Sequence, residues 1–114
     1  MDESAGGNLA EFLGTTATPP NDVSSKVEAV VSFFGPTDLV ALDSAAWAAK
    51  PGWSRRLGGT ALLRPEAYQL ASPLDQVSAG DPPMILVHGS ADWLVPVSQS
   101  EAMSRALDQV GVRN

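Results

Sequence analysis

Three side chains here are of the types that build a hydrolytic site: Ser4, the lone histidine His88, and Asp92. Ser4 lies in Glu3-Ser4-Ala5-Gly6-Gly7-Asn8-Leu9-Ala10, and Asp92 closes His88-Gly89-Ser90-Ala91-Asp92. A serine hydroxyl attacks a carbonyl at neutral pH only with a base beside it, and an aspartate orients that base and stabilises its charged form. In the order serine, acid, histidine, the base belongs after Asp92, and no histidine follows it. His88 precedes the acid and ends an apolar run, so it is expected to be structural. Two of three catalytic groups are therefore expected in this chain. Each motif alone has a plainer reading: Ser4 as the N-cap of a helix and Asp92 as an ordinary turn aspartate. Asp38 reads as a turn residue rather than as a second acid.

The elements that must position these groups are legible from periodicity. Ala5, Leu9, Phe12 and Leu13 share one helical face, so a helix is predicted over 4–13 with Gly14 as its C′ residue. Val27 to Phe34 is a nearly unbroken β-branched and apolar run, as expected of a parallel strand covered on both faces, and Gly35-Pro36 ends it. Thr37 to Gly59 is too broken for one helix and too apolar for a linker, and reads as an excursion of short helices. Pro65 suits the first turn of a helix through Leu70. Gly80-Asp81-Pro82-Pro83 launches a second strand, Met84 to His88. A Ser98/Glu101 capping box opens a last helix, with Met103, Ala106, Leu107 and Val110 inward and Gly111 as its stop. Two strands joined by so long a helical crossover are expected to be parallel, giving an α/β fold of parallel strands with flanking helices. A pair alone leaves an open edge on each side, so the architecture asks for neighbouring strands.

Composition narrows the function classes. Of 114 residues, 44% are hydrophobic and 18% charged, enough apolar surface for a packed core. A net charge of −6 with seven scattered Lys and Arg argues against nucleic acid as a partner. The absence of cysteine removes disulfide, thiolate and zinc-finger chemistry. No metal or cofactor is expected, and no apolar run is long enough to span a bilayer. No signal peptide is legible at Met1-Asp2-Glu3; the compartment stays open, with the cytoplasm as the default, and so does the oligomeric state.

The four landmarks together resemble one family. Glu3-Ser4-Ala5-Gly6-Gly7-Asn8-Leu9-Ala10 resembles the nucleophile elbow of hormone-sensitive-lipase-like and bacterial feruloyl or acetyl esterase-like (BD-FAE-like) α/β-hydrolases. Val27 to Leu39, with Gly35-Pro36-Thr37-Asp38-Leu39, resembles the strand after that elbow and its exit. Ala71-Ser72-Pro73-Leu74 and Asp81-Pro82-Pro83 resemble the approach to the next strand, and His88 to Asp92 with Val95-Pro96 resembles the acid turn. The elbow departs from Gly-x-Ser-x-Gly at Asp2, where a small residue is usual.

The resemblance implies a partial α/β-hydrolase fold, one incomplete domain over 1–114, running from the elbow to the helix after the acid turn. It implies Ser4 as nucleophile, the Ala5 backbone N–H as an oxyanion donor and Asp92 as acid, with a small-molecule ester, of a short acyl or aryl kind, as substrate. The histidine would lie beyond this chain, which alone would then be inactive. Trp47 and Trp53 are candidates for the substrate pocket, with core packing the competing reading. A prolyl-oligopeptidase-like peptidase and a dienelactone-hydrolase-like enzyme are the alternatives within the fold, and a non-catalytic remnant is the alternative outside enzymology.

Overall fold

A computed structural model of the chain describes residues 2–16, 26–44 and 52–114. Its centre is a parallel sheet of three short strands in the order β1-β2-β3: Asp2–Glu3, Val30–Phe33 and Met84–Val87. Glu3, Phe33 and Val87 stand level across the sheet, so all three strands end at the same edge. The two predicted strands are there and parallel, and the third, β1, supplies one of the neighbours they required. Two residues are too few to display a period, which is why β1 cannot be read from the sequence.

Helix α1 (Ala5–Thr15) follows β1 after a single intervening residue, Ser4. It runs past Gly14, where the sequence suggested a stop. Gly14 is there for closeness: a Cβ at this position would stand 2.7 Å from Val30 Cγ2 and 3.0 Å from Met84 Cε. The glycine lets the helix lie against β2 and β3. Among the described residues the excursion and its exit contain three short helices, α2 (Leu39–Ser44), α3 (Gly52–Leu57) and α4 (Pro65–Leu70), the last with proline in its first turn as expected. A 3-10 turn over Pro73–Gln76 leads toward β3. Helix α5 (Ser98–Gln109) closes the chain, and Gly111 ends it in the left-handed region with φ 77°. Its start differs from the capping box: Val97 is the cap residue and no side chain caps it. Ser100, one turn in, is bonded to His88 instead.

Alternation along the strands divides their side chains between two faces. Val30 and Met84 turn toward α5 and pack with Met103, Leu107 and Val112, with Ala10 of α1 at the margin of the cluster. Ile85 and Val87 turn the other way and are 60% and 41% exposed. A second cluster, Leu39, Leu42 and Tyr68, holds the excursion together. It is locked by Asp43, whose carboxylate accepts from the Ala61 N–H at 2.7 Å and from the Tyr68 hydroxyl at 3.1 Å. Burial, reinforced by the Asp43 hydrogen bond and charge, pushes the Tyr68 phenol up to about 12. No helix among the described residues is long and apolar enough to cross a membrane.

Candidate active site

Ser4 occupies the turn between β1 and α1 with φ 53° and ψ −115°. A non-glycine residue in that region is strained by about 1–3 kcal/mol and persists only where its surroundings hold it. Those surroundings are visible. The Ser4 N–H donates to Phe33 O at 2.9 Å, and the Ser4 carbonyl accepts from the Asn8 N–H at 3.0 Å. Its hydroxyl makes no capping bond, which removes the plain N-cap reading. Ala5 stands at the first helical position, where a backbone N–H has no partner within the helix and points out of the helix end.

A close crossing keeps this turn against the sheet. A Cβ on Gly7 would fall 2.9 Å from Gly35 Cα, and one on Gly35 would fall 2.8 Å from the Gly7 carbonyl carbon. Asn8, fully inside, donates from Nδ2 to Pro36 O at 2.7 Å and so ties α1 to the exit of β2. The exit carries the second positive φ among the described non-glycine residues, Phe34 at 41°, whose N–H donates to Val87 O at 2.8 Å. Both strained residues therefore lie at the edge where the strands end.

Asp92 lies five residues past β3 at the same edge, with β2 interposed; β1 and β3 are about 10 Å apart. One carboxylate oxygen, Oδ1, is committed: it accepts from the Leu94 N–H at 2.7 Å and the Val95 N–H at 2.8 Å. The other, Oδ2, lies 3.8 Å from His88 Nε2, and the side chain is 21% exposed. The Val95 N–H holds the Asp92 carboxyl below its ordinary value, against an upward push from burial, and the Leu94 N–H and nearby His88 add to the lowering. Asp92 is thus an ionised acceptor with one oxygen fixed by two backbone N–H groups and the other outside that pair of bonds.

His88 is 3% exposed and both of its ring nitrogens are engaged. Nε2 stands 2.8 Å from Val95 O, and since a carbonyl only accepts, Nε2 carries the hydrogen. Nδ1 stands 2.6 Å from Ser100 Oγ. This is the structural histidine that the sequence order implied. A further clasp was not foreseen: Gln99 Oε1 accepts from the Thr37 and Asp38 N–H groups at 2.9 and 2.7 Å, and the Thr37 hydroxyl donates to Gln99 O at 2.8 Å. It joins the exit of β2 to the start of α5. Nothing in the local pattern marks Gln99, because the partner lies sixty residues away in sequence.

Trp47 lies outside the described residues, and Trp53 falls in α3, of which only the backbone is described. Among the described residues no group of three or more His, Cys, Asp and Glu side chains could hold a metal.

The BD-FAE family model matches residues 1–107. The chain belongs to that family. It is 30% identical over 116 aligned residues to Esterase LipC of Mycobacterium tuberculosis, an alignment covering 94% of this chain and 29% of LipC. Among solved structures, it superposes on a bifunctional GH43-CE protein of Bacteroides eggerthii with a TM-score of 0.82 at 28% identity, covering 98% of this chain and 19% of that one. An acetyl ester-xyloside bifunctional hydrolase from Caldicellulosiruptor lactoaceticus matches with a TM-score of 0.76 at 30% identity, over 96% of this chain and 41% of that one. The fold is a partial α/β-hydrolase fold, and the chain spans less than a third of the length of LipC.

Proposed function

We propose that this BD-FAE chain carries the nucleophile and the acid of a serine carboxylic-ester hydrolase, with Ser4 and Asp92 in those roles. The conformation of Ser4 carries the reading: a strained serine, between strand and helix, whose hydroxyl is not spent on capping. The esterase names of its relatives and their folds support the reaction class. In the proposed reaction the Ser4 hydroxyl attacks the ester carbonyl and its proton passes to a histidine. His88 is the single histidine of the chain and its nitrogens are engaged, so the base comes from outside these 114 residues. The Ala5 N–H donates to the oxyanion, a contribution of about 3–4 kcal/mol where single donors of this kind are removed. Collapse expels the alcohol, which takes the proton from the histidine, and water then releases the acid by the same steps. Asp92 Oδ2 accepts from the histidine and stabilises its charged form. Small esters of acetyl size are the proposed substrates, in keeping with the acetyl ester-xyloside hydrolase among the structural neighbours.

A fluorophosphonate probe tests this. Ser4 should be labelled when the chain is part of a protein as long as LipC, and not in the 114 residues alone; Ser4→Ala should abolish the label. In the longer protein, Asp92→Asn should lower p-nitrophenyl acetate turnover on the order of 10⁴-fold. Labelling that survives Ser4→Ala overturns the assignment, and rapid labelling of the 114 residues overturns the external base.

A further inference from the structure

The loop from His88 to Val95 is closed by one side chain. The His88 Nε2–H donates across it to Val95 O at 2.8 Å, while Nδ1 meets the Ser100 hydroxyl on α5 at 2.6 Å. The ring is held from a third side by Phe34, edge-on at 6.5 Å between centroids. Inside this closed loop Asp92 Oδ1 takes the Leu94 and Val95 N–H groups, and Oδ2 takes neither and lies 3.8 Å from His88 Nε2. Val95 is the shared member: its carbonyl is held by His88 and its N–H holds Asp92.

We propose that His88 is a positioning residue for Asp92, clasping the loop at Val95 so that Oδ1 is saturated and Oδ2 alone remains for the catalytic histidine. The proposal rests on the reading of Asp92 as the acid, but it concerns the geometry of a carboxylate and is read without turnover. Breaking the clasp frees the Val95 carbonyl, loosens the two amides and lets Asp92 rotate. A rotated Asp92 presents either oxygen and loses the hydrogen bonds that favour its charged form.

The experiment follows the Asp92 side-chain carboxyl carbon by NMR in the full chain as pH is lowered, together with hydrogen exchange of the Leu94 and Val95 amides. His88→Phe removes both ring nitrogens. It should raise the Asp92 midpoint toward the ordinary aspartate value and speed exchange of the two amides roughly tenfold, the loss of a typical hydrogen bond. His88→Gln supplies an uncharged N–H donor at the reach of Nε2 and should restore both readouts most of the way. That variant separates the clasp from the charge of a protonated imidazole. If the Gln variant shifts as far as the Phe variant, charge alone explains Asp92 and the proposal fails; if neither shifts, it fails as well. Glu101 and Arg105, the charged groups of α5 that line the groove beside His88, are the same in every variant. Should His88→Phe not fold, Ser100→Ala removes the Nδ1 contact and keeps the imidazole; faster exchange at Leu94 and Val95 supports the clasp, and unchanged exchange overturns it. Failure of Ser4 labelling would overturn the hydrolase reading and leave these readouts untouched.

Discussion

Ser4, just ahead of α1, and Glu11 within it show how single residues bear unfavourable terms in opposite ways. Ser4 is strained in its backbone and held by the two hydrogen bonds around it. Glu11, two turns further on, is fully buried, and neither carboxyl oxygen has a hydrogen-bond partner among the described residues. Burial pushes its carboxyl from 4.5 up to about 7, against a smaller downward pull from the Ser32 hydroxyl. The consequence for stability has a definite sign. Between pH 4.5 and 7 the folded chain holds a proton that the unfolded chain has released, so folding is favoured most below 4.5 and weakens as pH rises through 7. At about 1.4 kcal/mol per pKa unit the loss is about 3 kcal/mol. Urea midpoints should therefore fall from pH 4.5 to pH 7.5 in the native sequence and change much less in Glu11→Gln. Equal midpoints at the two pH values in the native sequence would remove this account.

At the scale of elements, the crossing of α1 over the exit of β2 sets where Ser4 stands. Gly7 and Gly35 bring two backbones together where a single Cβ would meet main-chain atoms under 3 Å away. Main chain in a helix and in the exit of a strand cannot give way as the end of a side chain can. Gly7→Val should accordingly cost about 1–3 kcal/mol, measured by urea unfolding, and should lift the helix start away from the sheet. A loss below about half a kcal/mol would mean that the crossing is looser than these distances. Sequence reading found the existence and order of these elements, because Val30 to Phe33 and Met84 to Val87 lie in apolar runs bounded by turn residues and the face of α5 repeats with a helical period. It misjudged the ends. Gly14 looked like a helix stop because glycine commonly is one, and only the approach of Val30 and Met84 reveals its other use. Ser98 and Glu101 have the spacing of a capping box, yet α5 starts without a side-chain cap.

On the scale of the whole molecule, helices among the described residues cover one face of the sheet and leave β3 side chains of the other face exposed. Ile85 and Val87 sit exposed on β3, as does Trp93 in the loop beyond, at 80%. Parallel sheets are ordinarily covered on both faces, and the relatives are several times longer than this chain. Exposed apolar strand surface binds hydrophobic dyes and promotes association. Ile85→Lys with Val87→Lys should lower ANS fluorescence of the 114-residue chain and its self-association in analytical ultracentrifugation, with the far-ultraviolet circular dichroism retained. Unchanged dye binding would show that this face is not the exposed surface.

The sequence by itself determined the α/β class, the order of the main elements and the family, and it singled out Ser4 and Asp92 as the proposed pair, because those depend on residue types in a fixed order. The expectation that His88 is structural came from its place ahead of Asp92. Tertiary structure alone decided the rest. The positive φ of Ser4 arises from a turn held by Phe33 and Asn8, the engaged nitrogens of His88 depend on Val95 and Ser100, and the level ends of β1, β2 and β3 come from pairing between distant segments. Contacts between residues far apart in the chain leave no period in the sequence, and they are what brings a serine and an aspartate to the same edge of one sheet.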